Sequence, residues 1–251
     1  MKKLLSLTSL LAVGLVFLAA SSSNAANLAV DNSSFYNTAS WTDGSNFGSG
    51  FGAWAFDGGD GTGGGHGTFI GGTGLDPVSS FGIFSFPADS GASQGVLRPF
   101  TGGPLLAGQT FSISLGYNAI AANGLVGLDL QDSGGNAVFS LQGDGTGDWL
   151  ISDGGSLFGS GAAEAANTPF VFTLTYNGGQ SYSYTLGTGS GVDFMATSNI
   201  GDISSVRLYS YQQGADNNFG FDNLAIVPEP STWAMMIGGL GMLTLLRRRR
   251  S

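Results

Sequence analysis

Residues 169–187 read PFVFTLTYNGGQSYSYTLG, and their strict alternation leaves few folds open. Phe170, Phe172, Leu174 and Tyr176 fall on one side of an extended chain, with Thr173 and Thr175 on the other. The second half repeats this with Tyr182, Tyr184 and Leu186. Successive side chains of a strand point to opposite faces, so a period of two marks a half-buried strand. NGGQ between the halves is a turn signal, and 170–187 is expected to be a β-hairpin. Eight further segments read as strands: FGAWAF (51–56), FGIFSF (81–86), TFSISLGY (110–117), LVGLDLQ (125–131), AVFSLQ (137–142), DWLIS (148–152), VRLYSY (206–211) and FGFDNLAIV (219–227). No ten-residue stretch between 27 and 226 carries the helical period of 3.6. Short strands divided by Gly, Asn and Asp turns predict an all-β domain over 26–226, an antiparallel two-sheet sandwich and most simply a jelly roll.

Composition supports folding and narrows function. The 251 residues include 44 glycines, 18 phenylalanines and no cysteine. Charged residues make up 10%, against roughly 25% in soluble domains. The 12% of aromatic residues supplies a core that a disordered low-complexity chain would lack. Between 27 and 226, 16 acidic side chains face only Arg98 and Arg207, a balance of −14. Such a surface repels phosphate backbones, which argues against nucleic acid as a partner. The missing cysteines exclude disulfides, metal thiolates and a thiol nucleophile together.

The other basic residues lie at the two ends. MKKLLSLTSLLAVGLVFLAASSSNAANLAV opens with Lys2 and Lys3, continues in an apolar run from Leu10 to Ala20, and offers SNA as a processing site. This is the order of a signal peptide, residues 1–25, with signal peptidase expected to cut between Ala25 and Ala26. At the other end, residues 231–246 (STWAMMIGGLGMLTLL) hold no charge. As a helix they would rise about 24 Å, somewhat short of a hydrocarbon core of about 30 Å. Snorkelling arginines make up part of the difference. Trp233 suits the membrane interface, and Arg247, Arg248, Arg249 and Arg250 form a cytoplasmic stop, leaving everything before them outside. The expectation is a C-terminal transmembrane helix. Before it stand Val227, Pro228, Glu229 and Pro230; the prolines lack amide hydrogens, so the segment is expected to be an extended linker outside both sheet and helix.

VPEPSTWAMMIGGLGMLTLLRRRR, residues 227–250, resembles the PEP-CTERM sorting signal of Gram-negative bacteria: a Pro-Glu-Pro motif, an apolar helix and an arginine cluster, in order. The resemblance implies export, a transient stay in the inner membrane, and recognition at Pro228, Glu229 and Pro230 by an exosortase, a multispanning membrane protein similar to a cysteine transpeptidase. It further implies release or attachment at the cell surface, in bacteria that form exopolysaccharide and biofilm. The body resembles concanavalin-A-like lectin domains in its pattern of strands, and a fold by itself does not give a function.

Candidate sites in the body are few. Asp57 and Asp60 in FDGGDGTGGGHGTFIGGTG (56–74), Asp144 and Asp148 in QGDGTGDW, and Asp216 and Asp222 in GADNNFGFDNL are carboxylates in glycine-rich passages that calcium can use. A surface loop is the better reading of 56–74, and no cofactor or metal is expected. His66, the only histidine, stands among glycines and is assigned no role. Glu164, the one glutamate of the body, lies in a loop-like passage, and no pair of carboxylates is marked for glycoside hydrolysis. Trp41, Trp54, Trp149, Tyr209 and Tyr211 are the aromatics to test for stacking on sugars; the core is the alternative place for each. Arg207 should point away from the core, and either arginine is expected to pair with an aspartate. The reading is therefore a non-enzymatic exported protein that binds or builds exopolysaccharide matrix. A glycoside hydrolase or lyase on the same fold is the alternative.

Overall fold

The computed structural model describes residues 28–228, apart from 38–39, 73–74, 76–78, 89 and 188–201. The signal-peptide segment with Ala25 and Ala26, and the tail from Glu229 through Arg250, lie outside the described residues. Among the described residues no helix is long and apolar enough to cross a membrane.

In chain order the strands are β1 (Ala29–Asp31), β2 (Ala55–Gly59), β3 (Gly65–Gly71), β4 (Ser80–Phe86), β5 (Ser93–Pro99), β6 (Gln109–Tyr117) and β7 (Leu125–Gln131). They continue with β8 (Ala137–Gly143), β9 (Asp148–Ser152), β10 (Phe158–Ala163), β11 (Phe170–Gly178), β12 (Ser181–Leu186), β13 (Ser205–Tyr211) and β14 (Asn218–Pro228). A single 3₁₀ turn, Ser33–Phe35, is the only helical element among the described residues. The strands form two antiparallel sheets. Sheet one runs β12-β11-β6-β14-β4-β3, with β1 also on β14; sheet two runs β10-β9-β8-β7-β13-β5-β2. The described residues form an all-β sandwich.

Alternation places the core. Phe111, Ile113, Leu115, Phe172, Leu174, Phe81 and Ile83 point inward from sheet one and are fully buried. Val126, Leu128, Leu130, Leu141, Val206 and Leu208 meet them from sheet two. Phe139 of β8 stacks on Phe172 of β11 at 5.5 Å between ring centres, joining the sheets. Ser85 and Ser210 share a hydrogen bond of 3.0 Å across the same interface, as buried hydroxyls require.

The expected hairpin is β11–β12, with Phe172 opposite Leu186 and Leu174 opposite Tyr184. Its turn residues Gly179 and Gln180 have φ of 61° and 65°, the left-handed pair that matches the twist of a two-residue hairpin. Two expectations need correction. The strand expected at FGAWAF (51–56) begins four residues later, as β2. The described part of 56–74 is not one surface loop: it holds most of β2 and all of β3, the edge strands of opposite sheets. Strand β5 carries an inverted alternation, with Gln94, Val96 and Arg98 buried and Leu97 partly exposed. A buried cation hid it from an apolar pattern.

Candidate functional site

The sugar-stacking candidates separate into two groups. Trp41, Trp54 and Trp149 are core residues, exposed by 4%, 1% and 2%. Trp41 and Trp54 meet edge-to-face at 5.7 Å and both pack on Phe81, a geometry aromatic quadrupoles favour. They are out of a ligand's reach. Tyr209 and Tyr211 instead stand with Arg207 at alternate positions of β13, on the outer face of sheet two.

That outer face is the candidate site. Register aligns Tyr209 with Gly95 of β5 on one side and Gly127 of β7 on the other. Neither glycine is idle space: a Cβ on Gly127 would fall 2.7 Å from the Tyr209 hydroxyl oxygen, and one on Gly95 would overlap the Asp57 carboxylate. The hydroxyl end of the tyrosine therefore lies over Gly127. Arg207 donates to both carboxylate oxygens of Asp57, Nη2 at 3.0 Å and Nε at 3.2 Å. Its guanidinium also lies 5.7 Å from the Tyr209 ring centre, within cation–π range. Asp129, opposite Arg207, accepts from Ser140 Oγ at 2.6 Å. Burial holds the Asp129 carboxyl above its ordinary range, against the lowering influence of Ser140 and Arg207. Burial likewise raises the Tyr209 phenol, which stays a neutral donor and acceptor. The result is a polar shelf with Tyr209 beside a bidentate ion pair and the Ser140 hydroxyl, and Tyr211 two positions farther along the same strand.

The other arginine is internal. Arg98 has no exposed surface and meets Asp31 at 2.6 Å, Nη2 to Oδ2. It also donates to the Gly52 carbonyl and to Asn46 Oδ1, the latter at 2.8 Å. The Tyr36 hydroxyl completes the cluster: it donates to Asp31 at 3.0 Å and accepts from Trp54 Nε1 at 3.2 Å. Burial pushes the Asp31 carboxyl up and the Arg98 guanidinium down, opposing the attraction between them.

The acidic loops are occupied by the protein itself. Asp57 belongs to Arg207, and Asp60 meets the partly exposed His66 at Nδ1, 2.7 Å away. Asp144 accepts from Thr146 N and Oγ1 within its turn. Asp222 is buried and accepts from Ser33 N, Ser33 Oγ and Asn223 N at 2.8 Å each. Glu164 accepts from Asp144 N at 2.8 Å, which ties its segment to the turn, and burial raises its carboxyl. Asp148 and Asp216 join no cluster: no group of three metal-capable side chains gathers among the described residues.

Val227 and Pro228 fall inside β14, which the linker reading did not foresee. Proline is tolerated at the end of a strand where no ladder donor is needed. Strand β1 pairs there, Ala29 with Ile226, and Leu28 N donates to the Ile226 carbonyl at 2.8 Å. The fold thus continues up to the first residues of the sorting motif.

Residues 227–250 match the family model of the PEP-CTERM protein-sorting motif. The motif implies an exosortase-targeted protein, exported and sorted toward the cell surface. No curated protein matches the chain. Among solved structures, the chain is similar to a sialidase at 11% identity and a TM-score of 0.54, over 80% of this chain and 19% of that one. It thus spans about a fifth of that sialidase chain. A carbohydrate esterase from Shiga toxin-encoding bacteriophage phi24B is similar at 15% identity and a TM-score of 0.49, over 82% of this chain and all of the other. The globular domain of T. cruzi calreticulin is similar at 11% identity and a TM-score of 0.46, over 72% of this chain and 87% of that one. At such identities the sialidase likeness is one of sandwich fold alone.

Proposed function

We propose that the chain is made with a cleaved signal peptide, held briefly in the inner membrane by a C-terminal helix, and cut by an exosortase at Pro228–Pro230. Its jelly-roll, lectin-like sandwich then stays outside as a non-enzymatic binder of exopolysaccharide in a biofilm matrix. The observation that carries this reading is the complete sorting motif at residues 227–250, beginning where the last strand ends. The polar shelf around Tyr209, Arg207 and Asp57 supplies a place for sugar hydroxyls and one ring face for stacking. Binding without catalysis agrees with the state of the acids there. Both oxygens of Asp57 are taken by Arg207, and Asp129 is held by Ser140.

Two sets of substitutions test the sorting. Replacing Pro228, Glu229 and Pro230 with alanine removes recognition but keeps the anchor, so uncut precursor accumulates in the inner membrane. Replacing Arg247 to Arg250 with glutamine removes the charges that oppose crossing. Processing then falls while the sandwich still folds. Normal surface amounts of both variants would contradict the reading.

A further inference from the structure

We propose that the outer face of the β3–β4 hairpin is a second glycan-binding surface, a phenylalanine platform for the flat apolar face of an uncharged, β-linked polysaccharide. The inference rests on the reading of the sandwich as a polysaccharide binder, and it places a site on the sheet opposite the Tyr209 shelf.

Three successive outward positions of this hairpin pair a phenylalanine with a glycine: Gly65 with Phe86, Gly67 with Phe84, and Gly82 with Phe69. Each ring lies over its partner. A Cβ on Gly67 would come within 2.7 Å of the Phe84 ring, one on Gly82 within 2.3 Å of Phe69, and one on Gly65 within 3.2 Å of Phe86. The rings therefore spread along the sheet. Phe84 and Phe86 stand 5.8 Å apart at 24° between planes, and Phe69 and Phe84 stand 6.3 Å apart at 39°. All three remain partly exposed, while Phe81 and Ile83 of the same strand fill the core. Apolar rings exposed on the outer face of a sheet edge invite association, and proteins normally blunt such edges with charge. On this outer face the hairpin carries no charged side chain; His66, paired with Asp60, takes the other side of β3.

The chemistry of the occupant follows from the platform and its surroundings. A β-linked pyranose chain is a flat ribbon with C–H groups on its faces and hydroxyls along its edges. Its faces suit aromatic rings, and the ring spacing of the platform is comparable with the advance from one sugar to the next. Inward along sheet one, the neighbours in register are Gly220 opposite Gly82 and Asn218 opposite Phe84. Farther along the outer face come Ser112 and Ser114 of β6, then Thr173 and Thr175 of β11. These groups offer hydrogen bonds and no charge. An anionic polymer would need a cation, and the two arginines of the body are elsewhere: Arg98 is buried and Arg207 is on sheet two. An uncharged polymer is the complementary partner.

The test uses protein isolated from its producing cells and three probes: microcrystalline cellulose and chitin powder as neutral solids, and alginate as an acidic polymer. The parent should be depleted from solution by at least one neutral solid. The F69A/F84A/F86A variant should lose at least tenfold in apparent affinity with its melting temperature kept within a few degrees. Should the triple variant fold poorly, F84A and F84Y decide the matter, since the platform requires loss in the first and retention in the second. Undiminished binding by F69A/F84A/F86A alongside lost binding by Y209A would overturn the platform and leave polysaccharide binding in place. Binding to alginate alone would do the same. A parent that binds none of the three probes would overturn both readings. Self-association of the parent, abolished in the triple variant with glycan binding unchanged, would assign the face to a second copy of the chain and overturn the proposal.

Discussion

Arg98 and Arg207 occupy neighbouring strands, β5 and β13, and each holds an aspartate, yet the two regions around them work in opposite ways. Arg98 points into the sandwich, where its side chain and that of Asp31 have no exposure at all. Arg207 points outward, with 28% of its own side chain and 62% of Asp57 exposed. In the interior, water is gone, so the protein itself supplies the acceptors: Asp31, Asn46, the Gly52 carbonyl and the Tyr36 hydroxyl converge on the two terminal nitrogens of one guanidinium, while its Nε has no hydrogen-bond partner. That convergence fastens the N-terminal strand β1 and the segment after it to sheet two. On the outer face, solvent screens the pair, and its geometry instead presents Tyr209 beside a fixed ion pair. The same chemical pair is structural in one place and available to a ligand in the other.

The largest effect should come from breaking the interior pair. R98A leaves Asp31 buried without its cation, and loss of one member of such a pair costs about 3–5 kcal/mol. Chemical denaturation of the variant against the parent measures this. An apolar replacement of both partners, R98M with D31L, should cost less than R98A alone, because the buried pair gives little net stabilisation over packed apolar groups. A loss below that of a surface substitution would mean that Arg98 is not the clamp described.

R207A should be far milder, about 0–1 kcal/mol, because solvent screens an exposed pair and holding its long side chains in one geometry costs entropy. Its visible effect should be on ligand binding at the Tyr209 shelf. A loss in stability as large as that of R98A would erase the distinction between the two regions.

The smallest effect is on pH dependence. Burial raises the Asp129 carboxyl, so the folded protein holds that proton more tightly than the unfolded chain does. Stability contributed by this group is present below the ordinary carboxylate range and is lost as pH rises through the raised value. Glu164, also raised by burial, adds a slope of the same sign. The melting temperature of D129N should therefore fall less than that of the parent as pH rises through this window. An unchanged slope would remove Asp129 from the account.

The strands that alternate cleanly were legible in the residues, and those that do not were hidden for identifiable reasons. Strands β7 and β9 fall on the bounds expected from LVGLDLQ and DWLIS, since their apolar residues face the core in step with the pleat. Strand β5 was hidden because Gln94 and Arg98 take inward positions, and only the distant Asp31 makes that tolerable. Strand β3 was hidden because Gly65, Gly67 and Gly71 suggest a loop, whereas the sheet itself supplies phenyl rings to cover the first two. Those cross-strand pairs are 17 and 21 residues apart in the chain, beyond the range of any local pattern. Trp41, Trp54 and Trp149 illustrate the same limit: aromatic identity alone does not tell a core ring from a ligand platform. The sorting motif was readable because its information is linear, in residue order rather than in a folded surface.

Export followed by cleavage at the sorting motif is the central claim, and the intact mass of the protein at the cell surface tests it most directly. The account predicts a chain that begins at Ala26 and has lost the apolar segment and the four arginines after the Pro-Glu-Pro motif. A surface protein with the mass of the full 251 residues, starting at Met1 and ending at Ser251, would contradict it.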